Sequence, residues 1–359
     1  MKTIAYYISD YGYGHATRSL AVIRKLLEMN KDVNVLVCHS YALSFLKEAL
    51  KSERVIFRDV ATDIGFFIKE NSIEPDREKM KLEYEKYVES FPNLIDKESQ
   101  YLQKEEVDLV VSDIFPIAFE AARVAGIPSV GISNFTWYTA YLDLIDEEAL
   151  EPLKQAYQKM DHYFSLAACN EPKWGKEMTE FGFYARENDD KEVTRLRNQL
   201  LQNGEKWLIY VGFGMKIDVR ELEGLPIWEH PDCHFIFASN LKLDRPNVTT
   251  IPKEYVESQH FVAASDLVIT KPGWGTVSEA VLSNTPLLIL ERSAMKEDQN
   301  TIDYLRAINR CTTVGWDEFF DLKLKESFLQ EIMQQKNRPV PEDCLEDIVK
   351  RLVRLVLGT

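Results

Sequence analysis

Three short stretches carry side chains suited to moving a proton and holding a diphosphate. The first is Asp10-Tyr11-Gly12-Tyr13-Gly14-His15-Ala16-Thr17-Arg18, placed between an apolar run and a helical pattern. Gly12 and Gly14 let the backbone pass close to a ligand, and a helix start presents amides to negative charge. Thr17 and Arg18 belong to the same acceptor or phosphate loop. A histidine at the positive end of a helix is expected to have a lowered pKa and stay neutral, as a general base must. The alternative is that His15 merely caps the helix. The second stretch is Val110-Val111-Ser112-Asp113-Ile114-Phe115-Pro116. Asp113, just past a buried strand, is placed to accept from the far imidazole nitrogen and steady the imidazolium as it forms; taken alone it would read as a helix N-cap. The third is Thr270-Lys271-Pro272-Gly273-Trp274-Gly275-Thr276-Val277-Ser278-Glu279. Here Lys271, the amides of Gly275 and Thr276 and the Thr276 hydroxyl can neutralise a diphosphate, with Gly273 in the turn. Glu279 suits ribose hydroxyls. Asp298-Gln299 opens the next helical pattern and adds hydrogen-bonding groups. A weaker fourth element, Val211-Gly212-Phe213-Gly214-Met215, fits a phosphate turn at Gly214 and a plain tight turn nearly as well.

These stretches require strand ends to hold them. Apolar runs at 3–8, 33–38, 54–57, 107–111, 128–132 and 162–167 alternate with helical patterns at 15–29, 41–50, 77–104, 115–125 and 149–160. The pattern restarts after the polar run Arg186-Glu187-Asn188-Asp189-Asp190-Lys191. Strands are then expected at 207–211, 234–238, 248–250, 266–270 and 286–290, and helices at 192–202, 217–222, 275–283, 297–308 and 325–335. Such alternation predicts two parallel-sheet α/β domains of Rossmann-like type: 1–185, 186–340, and a C-terminal helix in 341–359 returning to the first. That helix gathers Leu345, Ile348, Val349, Leu352 and Val356 on one face. The charged 66–106 stretch reads as a solvated helical hairpin. Alternatively it grips an acceptor through Phe66, Phe67, Tyr84, Tyr87 and Phe91.

Composition removes several classes. A chain of 359 residues with 45% hydrophobic and 28% charged residues is globular and long enough for two cores. Its net charge of −15 argues against a nucleic-acid polymer as partner and gives no support to a broadly basic membrane-binding face, so membrane association is not indicated. Cys38, Cys169, Cys233, Cys311 and Cys344 form no C-x-x-C pair, which fits thiols in a reducing, cytoplasmic setting. No metal-ligand motif follows a strand, so neither a metal nor another cofactor is expected.

Together these residues resemble the GT-B superfamily of glycosyltransferases, both the plant natural-product enzymes and the bacterial lipid II-forming N-acetylglucosaminyltransferase. Lys271-Pro272-Gly273-Trp274-Gly275-Thr276-Val277-Ser278-Glu279 matches the spacing of the plant signature His-Cys-Gly-Trp-Asn-Ser-x-x-Glu, with Lys271 in place of its first histidine. Asp298-Gln299 falls on the pair that holds donor-sugar hydroxyls in that family, and His15 and Asp113 on its base and carboxylate. Thr250 falls near the base-stacking tryptophan of the plant enzymes, and Met215 replaces a common phosphate-loop serine. The first loop is also similar to the N-terminal region of plant arabinose kinases and to the nucleotide-sugar hydrolase of pseudaminic acid synthesis. The resemblance implies two Rossmann-like domains facing across a cleft. It further implies an inverting, metal-independent hexosyl- or N-acetylhexosaminyltransferase that moves a sugar from a UDP-linked donor to a small-molecule, glycan or lipid acceptor. A hydrolase with water as acceptor and a non-catalytic nucleotide-sugar-binding protein are the two rivals.

Overall fold

The computed structural model describes residues 1–70, 74–214, 222–238, 243–292 and 295–358. Met215, and residues 217–221 of the helix expected at 217–222, lie outside them. Two compact units divide the chain: Met1–Lys69, Pro75–Phe183 and the segment from Asp343 onward form the first, and Tyr184–Glu342 the core of the second.

In the first unit, strands β1 (Lys2–Ile8), β2 (Val33–His39), β3 (Val55–Asp59), β4 (Leu109–Asp113), β5 (Ser129–Ser133), β6 (His162–Ser165) and β7 (Glu177–Glu180) form one sheet. Their order is β3-β2-β1-β4-β5-β6-β7, with every pairing parallel. β1, β4 and β5 are buried almost throughout, which is why they read as continuous apolar runs rather than alternating ones. The chain leaves β1 toward β2 on one side and returns to β4 on the other. The C-terminal ends of β1 and β4 therefore flank the switch point where such sheets bind ligands.

The helical pattern at 77–104 is two helices, Arg77–Glu89 and Phe91–Lys104. Pro92 lacks an amide proton and is tolerated only in a first turn, so a new helix starts there. This hairpin is not simply solvated. Tyr84 and Tyr87 donate to the carbonyls of Ala149 and Thr62, and buried Glu98 pairs with Arg58 and accepts from Tyr7. The helix Leu345–Leu357 buries Leu345, Ile348, Val349, Leu352 and Val356 and packs on the helix Tyr13–Met29 within the first unit. Its entry is tied by Cys344 N–H to the Phe183 carbonyl at 2.9 Å. Leu352 is fully buried. We expect Leu352→Ala to cost about 2–5 kcal/mol, read as a lowered denaturation midpoint.

The second unit holds β8 (Trp207–Gly212), β9 (Cys233–Phe237), β10 (Val248–Thr250), β11 (Leu267–Thr270), β12 (Leu287–Glu291) and β13 (Thr312–Gly315). The order is β10-β9-β8-β11-β12-β13, again parallel. Its core joins Ile209, Val211, Phe235, Phe237, Leu267 and Ile269. β7 and β13 were not expected from sequence; four-residue strands such as Thr312–Gly315 carry too little apolar pattern. Single-turn helices at Trp137–Tyr141, Gln259–Ala264 and Trp316–Phe320 were missed for the same reason.

Candidate active site

In the first unit, β1 ends at Ile8 and the chain turns through Gly12, whose φ of 87° is open to glycine at little cost. Gly12 is the N-cap of the helix Tyr13–Met29 and has no side chain with which to cap it. A Cβ on Gly14 would meet no protein atom within 4 Å, so the first turn is left uncovered by the described residues. His15 is the third residue of that helix and does not cap it.

Asp113 closes β4 and does not cap a helix either; the next N-cap is Phe115. Ile114 between them has a φ of 58°, strained for a β-branched residue, and its carbonyl is held by the Tyr157 hydroxyl at 2.8 Å. His15 Nδ1 lies 3.0 Å from Asp113 Oδ1, and both side chains are buried.

The third member is Arg18, three residues after His15 and so on the same helix face. Arg18 was expected as part of an acceptor or phosphate loop. Its guanidinium turns inward and is buried, donating to Asp113 Oδ2 (2.8 Å), Asn134 Oδ1 (2.9 Å) and Ser133 Oγ (2.9 Å), and it also contacts Asp113 Oδ1. A buried carboxylate beside a neutral histidine needs a cation, and Arg18 supplies it. Thr17 turns its hydroxyl back to the Gly14 carbonyl at 3.1 Å.

Arg18 Nη2 also stands 3.0 Å from His15 Nδ1. Guanidinium only donates, so Nδ1 cannot accept from Arg18 while donating to Asp113. The carboxylate is the stronger acceptor, and Nη2 already has two oxygen partners. Nδ1–H therefore belongs on Asp113, which leaves Nε2 as the basic lone pair. Burial pushes the His15 pKa below its usual value; Asp113 opposes this and Arg18 adds to it. The sequence reading had credited the helix end for this lowering. Burial raises the Asp113 carboxyl, but Arg18 and then His15 outweigh it and hold the group well below the usual carboxylate range.

Aromatic rings wall this site. Trp137 lies 6.5 Å from His15 between ring centroids, Phe135 lies 5.9 Å from it, and Trp137 contacts Tyr11, Phe66 and Tyr141. Trp137 is placed by the Thr136 side chain, which accepts from the Thr139 amide as N-cap, and by Glu171, which accepts from Thr136 and Trp174. Asp10 organises the other side, accepting from the amides of Ser40, Tyr41 and Thr62. Asp63 lies past β3 with both carboxylate oxygens shielded, and burial pushes its pKa up to about 7. Sequence reasoning missed Asp63, Phe135 and Trp137.

In the second unit the expected donor loops converge. Gly214 has a φ of 80°, and a Cβ there would stand 2.9 Å from Lys271 Cε; one on Gly273 would stand 3.5 Å from the same atom. Lys271 therefore lies against the turn after β8. Gly273 is the N-cap of the helix Trp274–Leu282, whose first intrahelical amide bond is Val277 N–H to the Gly273 carbonyl. The amides of Trp274, Gly275 and Thr276 precede that bond, which is the arrangement that attracts anions.

Glu279 is buried and accepts from Arg186 Nε at 2.9 Å through Oε1; Arg186 also donates to the Val256 carbonyl and Ser258 Oγ. Asp298 is paired with Arg292 (Nε to Oδ2, 2.6 Å), and Gln299 donates to the Arg292 carbonyl at 2.8 Å. The two residues expected to hold sugar hydroxyls thus stand together on Arg292. Neighbouring Glu297 is raised to about 8, by burial first and then by Asp298. Arg186, Arg292 and Glu297 were not singled out from sequence. Among the described residues no group of three His, Cys, Asp or Glu side chains is arranged to hold a metal, and no helix is long and apolar enough to cross a membrane.

Residues 2–165 match the family described as glycosyl transferase family 1. A stretch of 145 residues is 35% identical to L-arabinokinase of Arabidopsis thaliana, covering 39% of this chain but 13% of that protein, so the chain spans about an eighth of its length. Solved structures resemble the whole chain. UGT89C1 of Arabidopsis thaliana superposes with a TM-score of 0.63 at 13% identity, covering 98% of this chain and 94% of its own. The glycosyltransferase SnogD of Streptomyces nogalater gives 0.61 at 14% identity, covering 99% of each. A UDP-glucose:anthocyanidin 3-O-glucosyltransferase gives 0.64 at 12% identity, covering 100% and 99%. The fold is that of these solved glycosyltransferases, GT-B, and the family match falls on the first unit.

Proposed function

We propose that this GT-B protein moves a sugar from a UDP-linked donor to an acceptor hydroxyl, with inversion at the anomeric carbon and without a metal. The observation that carries the reading is the buried His15–Asp113–Arg18 constellation at the switch point of the first sheet. Its neutral imidazole offers Nε2 to an acceptor proton, and Asp113 steadies the imidazolium that follows. The donor belongs on the second unit. Its diphosphate takes Lys271 and the amides at the start of the helix Trp274–Leu282, with Gly214 and Gly273 giving the backbone room. Glu279, oriented by Arg186, faces the ribose, and Asp298 and Gln299, oriented by Arg292, hold the sugar. Support for UDP comes from the relatives: UGT89C1 has been crystallised with UDP and with UDP-L-rhamnose. It has also been crystallised with quercetin, which favours a small-molecule acceptor over a lipid or glycan. We place the protein in the cytoplasm, where nucleotide sugars and reduced thiols coexist.

The test is UDP release from a panel of UDP-sugars, with and without acceptor alcohols, after treatment with a chelator. Release that requires an acceptor supports transfer. Equal release in water alone assigns hydrolysis, and tight UDP binding without any release assigns a binding protein.

The acid limb of the rate profile provides a further check. Because burial lowers the His15 pKa, kcat/KM should stay on its plateau as pH falls past about 6.5 and drop only below it. A limb at or above the ordinary histidine value would show that another group is the base.

A further inference from the structure

Three aromatic rings stand in contact on the surface of the first unit, beside the loop that carries His15. Tyr13 is 42% and Tyr41 48% exposed, and half-buried Phe45 joins them. The Tyr13 ring lies 5.7 Å from that of Tyr41 and 5.6 Å from that of Phe45 between centroids. A single exposed tyrosine needs no explanation, but contiguous aromatic surface beside a candidate site marks a place that a ligand covers. The cluster is also held in place. Tyr41 N–H donates to Asp10 Oδ1 at 3.0 Å, which ties the turn after β2 to the loop after β1, and Phe45 lies in the helix Leu43–Ala49.

The geometry of the rings selects the occupant. Tyr41 and Phe45 stand at 71° and 84° to Tyr13, nearly at right angles. A flat ring entering such a corner can stack on one ring and meet another edge-on, the two arrangements that aromatic pairs prefer. A puckered saturated ring can do neither. Position then sets the length. Tyr13 and His15 are two residues apart on one helix, so their side chains leave opposite flanks of its first turn. Between them the backbone is open: a Cβ on Gly12 or Gly14 would meet nothing within 4 Å. An α-helix with its side chains is about 10–12 Å across, so a molecule that touches both flanks must be about 10 Å long. We propose that Tyr13, Tyr41 and Phe45 form a second acceptor subsite, which seats the flat far ring of an elongated acceptor while its hydroxyl lies across the helix start at His15. This rests on the transferase reading, because it presumes that the His15 side holds the acceptor.

Ligand-observed NMR titration of the full-length protein tests it, with three probes and UDP as the control ligand. The probes are 4-phenylphenol, 4-cyclohexylphenol of the same length but with a puckered far ring, and phenol, too short to span the helix start. We expect the wild type to bind 4-phenylphenol at least tenfold more tightly than phenol and at least threefold more tightly than 4-cyclohexylphenol. Tyr13→Ala and Tyr41→Ala should each weaken 4-phenylphenol at least fivefold and leave phenol and UDP unchanged, whereas Tyr13→Phe, which keeps the ring, should bind like the wild type. If an alanine variant also loses UDP, the ranking of the three probes on the wild type decides alone. The proposal is overturned if 4-phenylphenol binds no better than phenol, if 4-cyclohexylphenol binds as well, or if both folded alanine variants bind 4-phenylphenol like the wild type. The transferase reading fails differently: UDP does not bind, or UDP-sugar consumption is indifferent to His15, whatever the ranking of the phenols.

Discussion

Replacing His15 by alanine is expected to lower kcat for sugar transfer by about 10²- to 10⁴-fold while UDP affinity stays the same. The magnitude follows from what the imidazole does. An acceptor alcohol is a poor nucleophile until its proton leaves, and Nε2 is the basic atom that the Nδ1–Asp113 bond leaves available. Asp113→Asn should be costly too, since an amide can offer its N–H to Nδ1 and turn the proton onto Nε2. Added imidazole should restore part of the His15→Ala rate by filling the vacated space. Steady-state kinetics with and without imidazole, beside UDP titration, separates loss of the base from loss of the fold. Unchanged turnover in His15→Ala would remove His15 from the chemistry.

The second large effect belongs to Arg18. Arg18→Met takes the cation from a buried carboxylate, and breaking such a pair costs about 3–5 kcal/mol. The pH dependence makes this specific. In the wild type His15 titrates lower when folded than when unfolded, so its contribution to stability is complete above about pH 6.5 and is lost as acid protonates the unfolded chain first. The depressed Asp113 carboxyl acts in the same direction at lower pH. Without Arg18, the lone charge on Asp113 draws a proton onto His15 and raises its folded pKa. The slope of unfolding free energy against pH between about 5 and 7 should then become less positive than in the wild type, and the acid limb of kcat/KM should move up. Denaturant unfolding at several pH values reads the first and rate profiles the second. A variant with wild-type stability and an unmoved profile would show that Arg18 does not set this site.

Much of this was legible in the sequence. The strand and helix alternation gave both sheets because fully buried parallel strands such as 109–113 are unbroken apolar runs. His15 and Asp113 could be paired in advance because each follows a strand that ends on the same sheet edge, and β1 and β4 are neighbours. What stayed hidden depends on partners distant in sequence. Arg18 is a loop cation until Asn134 and Ser133 are seen to enclose it, more than a hundred residues away. Asp298 and Gln299 read as sugar ligands, but nothing in a linear chain shows Arg292 turning back to hold both. Asp63 carried no signal, because a single aspartate in the loop after β3 belongs to no motif, and only the fold shows it buried beside Trp137.

The most direct test of the central claim is time-resolved NMR of the anomeric protons while the chelator-treated protein consumes an α-linked UDP-sugar. A base that activates the acceptor for a single displacement predicts a first-formed product of β configuration, absent with His15→Ala. A first product that keeps the α configuration, or one formed equally fast without His15, would contradict the account.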